Sequence, residues 1–218
     1  MIRHHPPDDL LLSMAAGTLS AGPALVVASH LETCADCRSR LRSLETAGGV
    51  MLEALAPEML SSQALARTLA AIDAPPRRAP APAVAPRARP PLPPGMAWPR
   101  ALEACSATPW RWLGPGMRWS RLVLPADPQA KLFLLRIGAG MSLAPHTHSD
   151  CELTQVLHGA FHDGRDLFGA GDFDAADDSV HHQPMVQNGG DCICLASVEG
   201  RMRFDSRLAR TLAALIGM

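Results

Sequence analysis

The spacing of hydrophobic residues along the chain changes near residue 73. Before that point apolar residues recur every three or four positions, which is the period of helices with one buried face. Four helical stretches are predicted. The first covers residues 8–17, capped by Asp8 or Asp9 and ended by Gly17, and the second starts at about Pro23 and carries His30 near its end. The third runs from about Cys37 to Ala47 and is ended by Gly48 and Gly49, and the fourth covers residues 50–72, interrupted at Pro57 with a second cap at Ser61 or Ser62. Helices this short bury little surface, so a metal that clamps them together would be a physically reasonable source of stability.

Beyond residue 95 the chain consists of short apolar runs separated by glycine and proline. These runs cover residues 110–112, 117–119, 121–124, 131–137, 152–157, 159–162 and 192–197. Short strands at near-regular spacing predict a β-barrel or a β-sandwich. Leu208, Leu212 and Leu215 predict an amphipathic helix over residues 206–216.

Residues 73–95 lie between these regions and consist almost entirely of proline, alanine and arginine. Such a composition is typical of an extended, semi-stiff linker between domains. The chain is therefore predicted to be an α+β protein with a small all-α domain (1–72), a linker (73–95) and a β-barrel domain with a C-terminal helix (96–218).

Composition and charge exclude several classes of function. Among 218 residues lysine occurs once, tyrosine is absent and the formal net charge is −1, so neither a basic surface nor a base-stacking surface for nucleic acid is expected. No apolar stretch is long enough to cross a membrane, and the N-terminus lacks the apolar core of a signal peptide. We therefore expect a cytoplasmic protein whose six cysteines are metal ligands, redox thiols or buried residues rather than disulfide partners.

The first candidate for chemistry is the sequence from His30 to Cys37. His30, Cys34 and Cys37 follow His-x3-Cys-x2-Cys spacing, in which the first two share one helix face and the two thiolates reach one tetrahedral ion. This spacing favours zinc over a redox thiol pair or two ordinary buried cysteines. The fourth ligand must come from upstream, where His4 and His5 are the candidates.

A second constellation lies in the β-region. His146 and His148 point to one face of a strand, and Glu152 follows at the same parity. A further histidine from the pair His181 and His182 would complete a metal site of three nitrogens and a carboxylate. Downstream, Cys192 and Cys194 are either neighbouring thiols that sense oxidation or two small buried side chains.

Together these motifs resemble the ChrR-type zinc anti-sigma factors. The first half matches through Arg3-His4-His5-Pro, Ala15-Ala-Gly-Thr-Leu and His30-Leu-x-x-Cys34-x-x-Cys37-Arg38, and the second through Gly140-x5-His146-x-His148-x3-Glu152-x6-Gly159, which is similar to the first cupin motif. The resemblance implies a helical zinc site of His5, His30, Cys34 and Cys37. It also implies a cupin site of His146, His148, Glu152 and His182 that holds zinc or another divalent transition metal.

By the same resemblance, the helical domain would sequester a sigma factor of the extracytoplasmic-function class (group IV). The cupin domain would release it after an oxidative signal, either singlet oxygen or an organic peroxide. The chain would then be a negative regulator of transcription and not an enzyme. The competing hypothesis is a cupin dioxygenase or isomerase with an accessory zinc domain, since a metal held by three histidines and a glutamate leaves coordination sites open. A metal-storage or zinc-delivery protein is a third reading, but a closed four-ligand site does not favour it.

Overall fold

The computed structural model describes residues 1–74 and 89–206, in which a helical region precedes an antiparallel β-structure. The helices are α1 (Asp8–Ala15), α2 (Ala21–Thr33), α3 (Ala35–Glu53) and α4 (Ala64–Asp73). The strands are β1 (Ser106–Ala107), β2 (Arg111–Gly114), β3 (Met117–Leu124), β4 (Asp127–Ile137), β5 (His146–His148), β6 (Glu152–His158), β7 (Ala160–His162), β8 (Leu167–Gly169), β9 (Phe173–Ala176), β10 (Met185–Val186), β11 (Cys192–Val198) and β12 (Met202–Phe204). Within these ranges no helix combines the length and the hydropathy that a membrane crossing requires.

The predicted helices are present, but several of their boundaries differ from the prediction. Gly17 follows α1 with a φ of +67°, the left-handed conformation expected of a glycine that ends a helix. The prediction that Gly48 and Gly49 end the third helix was wrong, because α3 runs through both to Glu53. Neither glycine has a positive φ, and a glycine inside a helix weakens it by about 1 kcal/mol without breaking it. The second half of the last stretch begins at Ala64, and the residue before it is Gln63 rather than a capping serine.

The β-region forms three sheets that enclose one interior. In the described residues the largest sheet has the order β1-β3-β4-β11-β6-β9, with β2 also paired to β3, and the smaller sheets are β10-β7-β8 and β12-β5. Every pair is antiparallel. Side chains from β4, β7, β10 and β11 meet across the space between the sheets. The fold class predicted for this half, a β-barrel, is therefore confirmed.

The helical region and the barrel share a hydrophobic core. Val26 and Val27 of α2 are fully buried and belong to the same cluster as Leu134 of β4 and Leu195 of β11. The approach is close: a Cβ placed on Gly22, in the first turn of α2, would lie 2.4 Å from Ser197 Oγ. Helix α2 thus rests directly on the outer face of the largest sheet, and it brings its C-terminal end to the turn between β8 and β9.

Two predicted segments lie partly or wholly outside the described residues. Residues 207–218, which include most of the predicted C-terminal helix, are among them, as are residues 75–88 of the predicted linker. The described end of the linker lies against the barrel, since the Trp110 indole N–H donates to the Pro91 carbonyl at 2.9 Å. The guanidinium of Arg89 also lies 5.0 Å from the centre of the Trp98 ring.

Candidate metal centres

The first cluster forms where the N-terminal segment meets the junction of α2 and α3. It contains His5, His30, Cys34 and Cys37, and one potential ligand atom of each lies within 4.8 Å of the others. His5 Nδ1 is 3.3 Å from Cys34 Sγ and 3.4 Å from Cys37 Sγ. Bonds of 2.0–2.3 Å to a tetrahedral zinc ion would separate its ligands by about 3.3–3.8 Å. The distances from His5 Nδ1 to the two thiols therefore match the separation of ligands around such an ion.

The Cys-x2-Cys spacing produces this geometry because Cys34 is the residue that caps α3. Its backbone is extended, with φ −97° and ψ 107°, and its Sγ accepts a hydrogen bond from the Cys37 N–H at 3.4 Å. The sequence predicted a helix beginning near Cys37, whereas α3 begins two residues earlier, at Ala35. Cys37 consequently lies in the first turn and faces back toward Cys34.

Burial sets the protonation of this cluster. Burial lowers the pKa of His30 to about 4, so its imidazole is neutral at pH 7. The ring accordingly donates from Nδ1 to the Gly171 carbonyl at 3.0 Å, while Nε2 is buried without a hydrogen-bond partner. Burial, together with the hydrogen bond and charge of Cys34, raises the pKa of Cys37 to about 12. A metal that binds Cys37 must therefore displace the thiol proton.

The second cluster lies inside the barrel and contains His146, His148, Glu152 and His182. All four residues are buried. His182 Nε2 lies 3.1 Å from His146 Nε2 and 3.2 Å from His148 Nε2, and His148 Nε2 lies 3.1 Å from a Glu152 oxygen. The structure thus brings together the three nitrogens and one carboxylate that the sequence pointed to.

The backbone of the barrel holds these rings in place. His146 and His182 exchange backbone hydrogen bonds of 3.1 and 3.0 Å, so the segment before β10 is tied to β5. His146 also donates from Nδ1 to the Ala144 carbonyl at 2.8 Å, which leaves its Nε2 as an acceptor. Several imidazole nitrogens facing one another at this distance need a proton or a cation between them. The set is one that divalent transition metals bind.

Electrostatics also suit a cation at this place. Burial by itself raises the pKa of Glu152, but the hydrogen bonds and charges of His146 and His148 outweigh it and hold the pKa below its ordinary value. Burial and the nearby His146 lower the pKa of His182 to about 4. At neutral pH the site therefore presents a carboxylate and a neutral His182 ring.

Both adjacent histidine pairs, which spacing alone left open, are separated by the fold. His4 contacts Asp166 and Asp172 of the barrel instead of the thiols. His181 is exposed and lies 3.0 Å from an Asp205 oxygen. The second residue of each pair, His5 and His182, is the one in the cluster.

An ion-pair network next to His182, with two buried carboxylates, was not predicted from the sequence. Arg165 donates from Nε to Asp163 at 2.6 Å and from Nη2 to Asp174 at 2.8 Å. An Asp163 oxygen is 3.7 Å from His182 Nδ1, which makes these carboxylates neighbours of the barrel site. Because the Arg165 guanidinium is hydrogen-bonded to both carboxylates, we interpret the network as one that holds the His182 ring in place and not as a third metal site. Asp163-Gly-Arg in the sequence indicates a turn, but it carries no information on what Asp163 faces.

Cys192 and Cys194 lie on the same face of β11, with their sulfur atoms 3.7 Å apart. They line a cavity of about 30 Å³ together with Glu152 and His182. The hydrogen bond from Cys192 and burial raise the pKa of Cys194 well above its ordinary value. The two thiols are therefore next to the barrel cluster, and their redox role stays a prediction.

The barrel fold and the two clusters define a cupin protein with a candidate metal site in the barrel and a helical His/Cys module at its N-terminus. Residues 99–200 match the family described as the ChrR cupin-like domain. The chain is 44% identical over 210 residues to the anti-sigma-E factor ChrR of Cereibacter sphaeroides, an alignment that covers 96% of this chain and 95% of that protein. The chain therefore belongs to the ChrR family of anti-sigma factors.

The same relationship appears in three dimensions. The crystal structure of Rhodobacter sphaeroides SigE in complex with the anti-sigma ChrR aligns with a TM-score of 0.72 at 38% identity. The alignment covers 91% of this chain and all of that chain. Since helical region and barrel are both included, the family's whole architecture is present here.

Proposed function

We propose that this chain is a cytoplasmic anti-sigma factor that sequesters a sigma factor of the extracytoplasmic-function class through residues 1–72. Residues 96–218 form the sensor that weakens the complex after an oxidative signal, and residues 73–95 connect the two. The solved complex of the ChrR relative with SigE supports the class of partner. No catalytic step is assigned to either metal centre.

The proposal is supported by a group of exposed hydrophobic side chains in the helical region. Of the fourteen large hydrophobic side chains that are exposed among the described residues, nine lie between residues 50 and 72. We call them the 50–72 surface: Val50, Met51, Leu52, Leu55, Met59, Leu60, Leu65, Leu69 and Ile72, each between 51 and 90% exposed. Soluble proteins rarely leave so many apolar side chains together in water unless a partner covers them.

Helix α4 strengthens this argument. It has ten residues and none of them is buried. Leu65, Leu69 and Ile72 follow the spacing of one helix face. A helix of this length is only marginally stable by itself in water, and most helices gain their stability by packing an apolar face. A sigma factor that receives this face in a groove would supply that packing.

The helical cluster suits zinc in a structural role. His5, His30, Cys34 and Cys37 would hold the ion, which would supply four bonds between the N-terminal segment, α2 and α3. The buried, unpartnered Nε2 of His30 supports this fit. Through these bonds the ion would fix the direction of α3 relative to α2 and thus the position of the 50–72 surface.

Co-expression tests the sigma-binding role. The full chain and an extracytoplasmic-function sigma factor encoded nearby should purify as a stoichiometric complex that a strong chelator dissociates. Cys37→Ser should lose zinc from the helical site and lose the complex, whereas Cys151→Ser, which lies outside both clusters, should retain both. A Cys37→Ser protein that still holds the sigma factor after chelation would contradict the role assigned to zinc.

The barrel is proposed to sense singlet oxygen or an organic peroxide with the help of its metal, zinc or another divalent ion held by His146, His148, Glu152 and His182. The position of Cys192 and Cys194 beside this cluster supports an oxidative signal, since the two sulfur atoms are in contact at 3.7 Å and would have to approach to about 2.05 Å to form a disulfide. Their burial and the raised pKa of Cys194 slow any reaction that requires a thiolate. A change in the metal site that admits the oxidant would therefore have to precede thiol oxidation.

Replacing both of these cysteines by serine should abolish or strongly slow release of the sigma factor. The measurement is dissociation of the purified complex under photosensitised singlet oxygen and under an organic peroxide, with Cys105→Ser as the control for loss of a buried thiol. If the double variant releases the sigma factor as fast as the unaltered chain, the two thiols are not part of the trigger.

The alternative, a cupin dioxygenase or isomerase, has less support from the barrel interior. The cavity beside the metal cluster measures about 30 Å³, which is space for about two water molecules. Pockets for small organic ligands typically measure about 300–1,000 Å³. A cavity of this size beside the metal cluster does not favour an enzyme that binds an organic substrate there.

A further inference from the structure

The segment before His5 is held by the barrel rather than by the helices. Both Arg3 N–H and His4 N–H donate to Asp172 Oδ1, at 2.6 and 3.1 Å. In return the Phe173 N–H donates to the His4 carbonyl at 3.1 Å. His5 follows immediately, so three hydrogen bonds to the turn between β8 and β9 determine its position in the metal cluster.

The second histidine of the helical cluster depends on the same turn. His30 donates from Nδ1 to the Gly171 carbonyl at 3.0 Å, which directs the unprotonated Nε2 toward the cluster. Gly171 has a φ of +92°, and a Cβ at this position would lie 2.8 Å from Ile2. Only a glycine lets the turn come this close to the N-terminal segment and to α2.

Asp172 also closes the turn itself. Its Oδ2 accepts from the Gly169 N–H at 2.8 Å, while the Gly171 N–H donates to the Val156 carbonyl of β6 at 2.8 Å. Asp172 is buried, with 2% of its surface exposed. One buried carboxylate thus ties the turn and the N-terminal segment together.

We infer that the turn Gly169–Phe173 of the barrel is the outer shell of the helical metal site, with Asp172 as its positioning residue. This inference rests on the proposed metal role of the helical cluster. The barrel orients two of the four ligands, His5 and His30, whereas Cys34 and Cys37 are placed by the junction of α2 and α3. The helical site is accordingly completed by the barrel.

This arrangement also links the two metal centres through one strand. Strand β9 begins at Phe173, at the end of the turn, and pairs with β6 so that Ala176 lies opposite Glu152 of the barrel cluster. The distance along the strand is three residues. A change in the barrel that shifts β9 would therefore move the acceptors of His30 and of the N-terminal segment.

The test measures cobalt and zinc binding by the full chain, since the thiolate-to-cobalt absorption band reports the cluster that contains Cys34 and Cys37. Asp172→Ala should weaken metal binding at the helical site by about 10–100-fold and change this band, because loss of an outer-shell partner has effects of this size. The barrel cluster should keep one equivalent of metal. Asp177→Ala, which removes an aspartate that caps a turn at Ser179 away from the helical site, should leave the band and the affinity unchanged.

A second pair of variants acts from outside the barrel and leaves the barrel's own residues unchanged. Arg3→Pro removes the backbone donor to Asp172, whereas Arg3→Ala keeps it, and the proline variant alone should bind metal about tenfold more weakly. Equal affinity of the proline and alanine variants, or an unaltered band in Asp172→Ala, would overturn the inference. Absence of the band in the unaltered chain would instead overturn the proposed metal role of the helical cluster.

Discussion

Replacing Leu65 and Leu69 of α4 by aspartate is expected to abolish binding of the sigma factor without changing the fold of the chain. The two side chains are 70 and 51% exposed, so the free protein loses almost no packing. In the complex, burial of each leucine side chain contributes about 2 kcal/mol, and burying a carboxylate in its place adds a further penalty. A loss of at least about 4 kcal/mol, or at least about a thousandfold in Kd, follows for the double variant.

The measurement is titration of the purified sigma factor by calorimetry or by displacement of a labelled complex. Trp112→Asp is the matched control, since Trp112 is 64% exposed but lies on β2, away from the 50–72 surface. The affinity of the double variant Leu65→Ala and Leu69→Ala should lie between that of the double aspartate variant and that of Trp112→Asp, because the alanines remove apolar contact without adding charge. Full affinity in the double aspartate variant would show that the sigma factor docks elsewhere.

Replacing Arg165 by an uncharged residue is expected to lower the free energy of unfolding strongly. Asp163 and Asp174 are buried, and the guanidinium contacts both. Loss of one partner of a buried ion pair costs about 3–5 kcal/mol. Because the Arg165 side chain is itself 39% exposed, water screens part of this interaction, and we expect about 2–3 kcal/mol for Arg165→Met.

The pH dependence of this effect follows from the two carboxylates. Burial raises the pKa of Asp174 to about 6 even with Arg165 present. Burial alone would also raise the pKa of Asp163, but the backbone hydrogen bonds from Asp166 and Arg165, with the guanidinium, hold it below the ordinary value. In the unaltered chain both aspartates are charged at pH 7.5, so the loss of the guanidinium should lower the free energy of unfolding most at this pH. At pH 5 Asp174 is protonated, so the difference between the variant and the unaltered chain should shrink.

Urea unfolding of both proteins in the same metal state, at pH 7.5 and pH 5, provides the measurement. Arg118→Met is the control, because Arg118 is exposed on β3 and has no ion pair among the described residues. Arg165→Lys should recover part of the loss, since it keeps the charge but not the two-sided contact. An Arg165→Met protein as stable as the Arg118→Met protein at pH 7.5 would contradict the importance of the network.

Much of the candidate chemistry was accessible from local spacing. His30, Cys34 and Cys37 lie within eight residues, and His146, His148 and Glu152 within seven. At such short range the geometry of a helix end or of a strand decides which side chains share a face. For the same reason the pattern of apolar residues was sufficient to predict helices followed by strands.

Contacts between distant residues were not accessible in this way. Neighbouring histidines such as His4 and His5 have almost the same spacing to every other residue. Their roles are separated by the contacts of the His4 ring with Asp166 and Asp172, which lie far along the chain. The pairing of Arg165 with Asp163 and Asp174 likewise depends on how the turn after β7 folds back toward β9. When two partners are separated by a long stretch of chain, the local geometry of a helix or a strand no longer limits where they lie relative to each other. Their contact therefore cannot be deduced from their spacing in the sequence.

By itself the sequence determined the order of helices and strands and most of the residues in the two metal clusters, because helix and strand periods act within a few positions. Only the tertiary structure decided that α2 lies on the barrel and that a barrel turn orients His5 and His30. These features depend on packing and hydrogen bonds between residues more than a hundred positions apart. The burial that makes them energetically significant exists only once the chain has folded.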